Sequence, residues 1–218
     1  MMTLRGRGRL LAVSLLAGAV VAHGARGEEE QVAAQDPIGA AVSNYFYQCF
    51  NDLKTVADTK PTSATFRKEM KPVAQKTKGL FGGTLIDTNY VIKEVYYKRD
   101  ALARGYDLKK VKELDVFWKK MSEKPEPQLS EPGHGNLIQP RLVAMRYPFL
   151  GTDGELEGIV SMMIRTEAFL KETGLDKCKA FQIIVDEKVR EEDGKLSASP
   201  KEVTLALPST TWTIKYDR

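Results

Sequence analysis

One stretch limits the possible folds more than any other: RLVAMRYPFLGTDGELEGIVSMMIRTEAFLKETGL, residues 141–175. Its first part alternates, with Val143, Met145, Tyr147 and Phe149 on one face and Leu142, Ala144 and Arg146 on the other, the period-two signature of a strand. Asp153 and Gly154 supply a tight turn, after which Leu156, Gly158, Val160, Met162 and Ile164 share one face of a second strand. The opposite face mixes Glu157, Ile159, Ser161, Met163 and Arg165, so it is not plainly a solvent face. Thr166 is placed to N-cap a short helix. Gly174 falls where a left-handed residue closes one, bringing Leu170 and Leu175 together. The stretch predicts an antiparallel hairpin, one face made for a core, followed by a helix.

With 218 residues, 42% of them hydrophobic, the chain has material for one well-buried domain. Arg5, Arg7 and Arg9 precede an apolar and small-residue run from Leu10 to Ala22, with Val20 and Ala22 placed like a cleavage signal. That pattern predicts a secretory signal peptide over 1–27, then a flexible stretch over 28–36 and a single domain over 37–218. The run is shorter than the roughly 20 residues a spanning helix needs, so the mature chain is expected without a membrane span, in the periplasm or secreted. The formal charge is +4, and Arg5, Arg7, Arg9 and Arg26 account for all of it, leaving the mature chain near neutral. A nucleic-acid partner, which needs a clustered basic face, is therefore not expected.

Along the chain, Asp36 and Pro37 start a long helix whose stripe is Ile38, Val42, Tyr45, Phe46, Cys49, Phe50, Leu53 and Val56, ending before Pro61. A second helical segment over 62–78 carries Phe66, Met70 and Val73, and Pro72 predicts a kink or two short helices. Phe81 to Ile86 and Tyr90 to Tyr97 read as a hairpin around Asp87, Thr88 and Asn89. Asp107 is expected to cap a third helix with the stripe Leu108, Val111, Leu114, Trp118 and Met121. From Ser122 to Asn136 prolines and glycines predict an irregular surface connection. Strands are expected from Cys178 to Val185 and over the alternating Val203, Leu205, Leu207 and Trp212, Ile214, Tyr216, with a turn at Asp193 and Gly194. Helices first and hairpin-linked strands afterwards make an α+β fold, a long N-terminal helix on an antiparallel β-sheet with covering helices.

Catalytic sets do not assemble. His134 is the only histidine after the leader, which excludes a His-based zinc cluster and a Ser-His-Asp site with more than that one member. Cys49 lies on an apolar stripe, which favours burial over reactivity, and Glu191, Glu192 and Asp193 fall at a turn and read as solvated. No metal, no cofactor and no enzyme activity are expected. Cys49 and Cys178 permit one disulfide or stand as two buried thiols.

The long first helix, the strand GGTLIDTNYVIKEV, the Phe117-Trp118 pair, the Pro/Gly-rich connection, the 141–170 run and the closing TTWTIKY strand together resemble the Cache (PDC, PAS-like) family of extracytoplasmic sensor domains. That resemblance covers roughly Pro37 to Arg218, with Pro148, Asp153, Gly154, Gly158 and Ile159 to Ile164 as the best-matching run. It implies a small-molecule pocket between the sheet and the segment Leu114 to Gly135. By position the ligand-binding candidates are Trp118, Lys119, Arg141, Met145, Arg146, Tyr147 and Met163. Arg146, opposite in face to Tyr147, either meets solvent or lines a polar pocket. In amino-acid-sensing relatives an acidic residue receives the ligand's amino group, and Met163 stands at that place here. An Arg-x-Trp pattern is also missing, since Asp115 and Val116 precede Phe117 and Trp118. A carboxylate or an apolar ligand therefore fits better than an amine. Two readings follow. One is an exported small-molecule-binding sensor domain that acts through a partner signalling protein, because no output domain follows Arg218. The other is a pocketless interaction protein that forms a homodimer through its long first helix.

Overall fold

A computed structural model of the chain describes residues 36–96, 103–133 and 140–218. The expected leader over 1–27, nearly all of the 28–36 stretch, Tyr97, and the part of the connection from His134 to Asn136 lie outside the described residues.

Helix α1, Pro37–Asp58, forms for local reasons and is then fixed by tertiary ones. Asp36 Oδ1 accepts from the Gly39 amide at 2.8 Å and Pro37 opens the first turn, while the other carboxylate oxygen accepts from Tyr216 Oη at 2.6 Å. The last strand is thus tied to the start of the first helix. Helix α2, Phe66–Lys76, buries Phe66, Met70 and Val73. Pro72 lies inside it without dividing it, so of the two expected outcomes the pair of short helices is not formed. Pro72 is on the exposed side, and the carbonyl it leaves without an amide, that of Lys68, belongs to an exposed residue that water can serve.

Strands β1, Leu80–Ile86, and β2, Ile92–Tyr96, make the first hairpin; Asp87 Oδ1 accepts from the amides of Asn89 and Val91 within its turn. Asp107 caps only a single 3₁₀ turn, Leu108–Lys110, and a second, Lys112–Leu114, precedes helix α3, Asp115–Glu123. The expected third helix is therefore broken near Val111, whose backbone is extended. Within the proline-rich connection a two-residue strand β3, Gln128–Leu129, pairs with β4, Leu142–Leu150, and β4 pairs along its length with β5, Leu156–Arg165. Helix α4, Thr166–Thr173, follows, closed by Gly174 at φ 75°. Thr166 is its first residue and not its cap: Arg165 holds the cap position, and the buried Thr166 hydroxyl has no hydrogen-bond partner. The chain ends with β6, Ala180–Val185, β7, Lys188–Asp193, β8, Lys201–Leu207, and β9, Thr210–Asp217.

These strands form two antiparallel sheets, β2-β1-β5-β4-β3 and β7-β6-β9-β8, where the sequence reading anticipated one. Strand β3 occupies the edge that later strands would have extended, so β6 to β9 pair among themselves. The architecture is α+β. Helix α1 packs on the Val143, Met145, Val160, Met162 face of the first sheet and on Trp212, Ile214 and Tyr216 of the second, in one continuous core. Phe46 meets Phe169 at 5.0 Å and Trp212 at 5.1 Å between ring centroids. Its outward residues, among them Asn44, Gln48, Asn51, Lys54 and Asp58, are exposed and polar. The exposed exception, Tyr47, donates its hydroxyl to the Ala206 carbonyl at 3.1 Å. No apolar seam for pairing two α1 helices is left over. Cys49 and Cys178 are free thiols, so the disulfide they permit is not formed. Burial, with Asp52 nearby, pushes the Cys49 thiol up to about 12, an inert state.

Candidate functional site

The two faces of the first sheet are covered differently, and β4 shows it residue by residue. Val143 and Met145 point under α1 and are fully buried in apolar surroundings. On the other face, α3 and the preceding turns form a roof: Trp118 and Met121 pack with Ile86, Tyr90, Ile92, Val95 and Ile159. Trp118 stacks on Tyr90 at 4.6 Å and donates Nε1–H to the Leu108 carbonyl at 3.2 Å, which fixes the tryptophan on the sheet.

Beneath this roof runs a polar row. Cross-strand register places Thr84, Ser161, Arg146 and Gln128 side by side across β1, β5, β4 and β3, with the apolar Val95 of β2 at the end of the row. All five are buried. Arg146 is only 8% exposed, and its guanidinium lies 4.0 Å from the Phe117 ring centroid and 5.5 Å from that of Trp118. No carboxylate pairs with it among the described residues, and its Nη1 has no hydrogen-bond partner. Burial alone pulls its pKa down to about 10. Next to it, Gln128 is 1% exposed with both its amide nitrogen and its amide oxygen unpartnered. Each orphan costs roughly 1–3 kcal/mol, more for the charged one. The site is a buried cation and a buried amide, with no carboxylate against the one and no hydrogen bond to the other among the described residues, beside two aromatic rings.

The sequence-derived candidates divide between the two faces. Trp118, Arg146 and the half-buried Met163 lie on the roof side. Met145 and Tyr147 are on the opposite face, Met145 in the core under α1 and Tyr147 half-buried against it. Lys119 points outward and meets Glu123 at 3.9 Å with its side chain largely in solvent. Arg141, at the mouth of β4, pairs with Glu191 of β7, which is buried and not solvated as its place beside a turn suggested. Gln128 was not foreseen: it stands between prolines in a polar stretch, and only the register of β3 against β4 reveals its neighbour. His134 lies outside the described residues.

Two open clefts lie away from the roof. One of about 450 Å³ is lined by Tyr45, Gln48, Asp52, Lys76, Lys78 and Glu172, whose charges are already paired, Lys76 with Asp52 at 2.5 Å and Lys78 with Glu172 at 3.0 Å. The other, about 540 Å³, sits between the end of α1, Pro125 and Pro127 of the connection, and Tyr147 and Phe149 of β4. No helix among the described residues is long and apolar enough to cross a membrane, and no group of three or more metal-ligating side chains is present among them.

No family model matches the chain, and no curated protein matches its sequence. Solved structures do. An extracellular ligand-binding receptor from Desulfohalobium retbaense superimposes with a TM-score of 0.64 at 14% identity over 90% of this chain; this chain spans 40% of that one. The ligand-binding domain of the Pseudomonas aeruginosa amino acid chemoreceptor PctB, in complex with L-Arg, gives 0.62 at 15% identity, covering 88% of this chain and 94% of its own. The periplasmic sensory domain of the Campylobacter jejuni chemoreceptor Tlp1 gives 0.59 at 9% identity, covering 88% and 95%. The fold is that of Cache-type (PDC) extracytoplasmic sensor domains.

Proposed function

We propose that this chain is an exported sensor-type binding domain that takes a small carboxylate under the α3 roof, at Arg146 and Gln128, and acts through a partner protein. One observation carries the reading: Arg146 Nη1 and the Gln128 amide, adjacent in register and both buried, have no hydrogen-bond partner among the described residues. A carboxylate would accept from Arg146 in the plane of the guanidinium while Phe117 keeps its stacking position, and charge-assisted bonds of this kind are about twice as strong as neutral ones. An apolar ligand would leave both groups unsatisfied, so the anion is preferred. Positions 144, 146 and 148 of β4 and 159, 161 and 163 of β5, which face the roof, include no acidic residue to receive an ammonium group. Amino-free carboxylates should therefore bind better than amino acids, unlike in the PctB complex. Trp118 and Met163 would contact the ligand's body; Lys119, Arg141, Met145 and Tyr147 would not. The leader over 1–27 would be cleaved and the mature domain released from the membrane. The polar outer face of α1 speaks for binding over helix-mediated dimerisation.

Thermal unfolding of the purified protein with acetate, lactate, benzoate and alanine tests this. A ligand at 100 times its Kd stabilises by about 2.7 kcal/mol. Stabilisation by at least one amino-free carboxylate, lost in Arg146→Met, is expected; no response, or a response that survives Arg146→Met, refutes the reading.

A further inference from the structure

We infer that the paired strands β3 and β4 are the output arm of this site, linking it to the second sheet through two ion pairs beyond the site and one backbone hydrogen bond beside it; the inference rests on the binding reading above. Gln128 and Arg146 face each other across one end of the β3–β4 pair. Three residues beyond Gln128, Glu131 meets Arg190 Nε at 2.8 Å; five residues before Arg146, Arg141 pairs with Glu191. Arg190 and Glu191 are consecutive on β7, so the two arms of the pair grip the same spot of the same strand with opposite charges. A third tie comes from the backbone, where the Leu129 amide donates to the Pro208 carbonyl in the β8–β9 turn at 3.0 Å. The pair itself is held as a unit by Ser130 N to Ala144 O at 2.8 Å, Ala144 N to Ser130 Oγ at 2.8 Å and Gly133 N to Leu142 O at 2.8 Å.

The chemistry of the ties suits transmission. Glu191 is buried while Arg141 is half exposed, so the pair has a single acceptor geometry at its β7 end and freedom at the Arg141 end. Drawing Gln128 and Arg146 together around a shared anion moves β3 relative to β4, and the two ion pairs carry that change to β7. Coupling between neighbours in one charge network is where additivity fails.

Hydrogen exchange by mass spectrometry on the whole purified protein tests the link with and without ligand. The unlinked variant carries Arg141→Gln, Glu191→Gln, Glu131→Gln and Arg190→Gln, so that both members of each ion pair are neutralised together; unchanged exchange in α1 verifies its fold. Arg146→Met, or Gln128→Ala where Arg146→Met fails to fold, is expected to change amide exchange over Lys188–Asp193 by about threefold in the linked protein and hardly at all in the unlinked one. Equal changes in both backgrounds, or none in either, overturn the inference. Benzoate stabilisation with a silent β7 refutes the arm and leaves the binding reading standing. Coupling to β7 without stabilisation by any carboxylate does the reverse.

Discussion

The five-stranded sheet has two faces built from the same strands, and they obey different rules. Under α1, Val143, Met145, Val160 and Met162 are all fully buried, and the covering side chains are apolar as well. Under α3 the same strands contribute Arg146, Ser161 and Thr84, buried almost as deeply, with an Arg146 Nη1 and a Gln128 amide that form no hydrogen bond among the described residues. A core built for stability alone has no use for that second arrangement, since buried polar groups are tolerated when paired and costly when not. The contrast teaches that one face holds the fold together, while the other gives up stability, which on the proposed reading serves to hold a ligand.

Substitutions that treat the two faces alike should therefore give opposite results. Phe46→Ala, on the α1 side, removes a fully buried ring between Phe169 and Trp212 and should cost about 3–5 kcal/mol in denaturant unfolding. Gly158→Ala tests the tightness of the same face: an added Cβ would lie 2.4 Å from Phe149 Cζ, its cross-strand partner, and should cost about 1–3 kcal/mol. Lys119→Ala, on the outside of the roof, should change stability by less than about 0.5 kcal/mol and leave anion binding intact, because its partner among the described residues is the exposed Glu123. A large effect at Lys119 would mean that the site lies outside the roof and not beneath it.

Periodicity made the α1 face legible. The stripe of α1, the alternation of β4 and β5 and the turns at Asp87 and Gly154 all follow from local rules, and the structure has them. The roof face was only half legible. Arg146 stands out on any alternating strand, yet whether it meets solvent or a pocket depends on α3, and α3 begins seven residues later than Asp107 suggested. Gln128 was not legible at all, because a two-residue strand has no period and its meaning comes from the register with Arg146. Strand β7 was hidden for the same kind of reason: KVREED reads as a solvated turn until it pairs with β6 and buries Glu191. What sequence could not supply was in each case a nonlocal pairing.

The most direct measurement is the stability of Arg146→Met against the native protein as a function of pH, with and without a candidate carboxylate such as benzoate. Burial lowers the Arg146 pKa in the folded state, to about 10, so below that pH the folded protein carries the full cost of an unpaired buried cation. As pH rises through about 10 toward the ordinary arginine value, the folded state sheds this proton while the unfolded chain keeps it, and the native protein gains stability relative to the variant. The account predicts that at neutral pH Arg146→Met is as stable as the native protein or more so, by up to about 3 kcal/mol, that the gap closes above about pH 10, and that the ligand's stabilisation is gone. A variant that loses several kcal/mol at neutral pH, as Phe46→Ala should, would show Arg146 to be part of the structural core and would contradict the account.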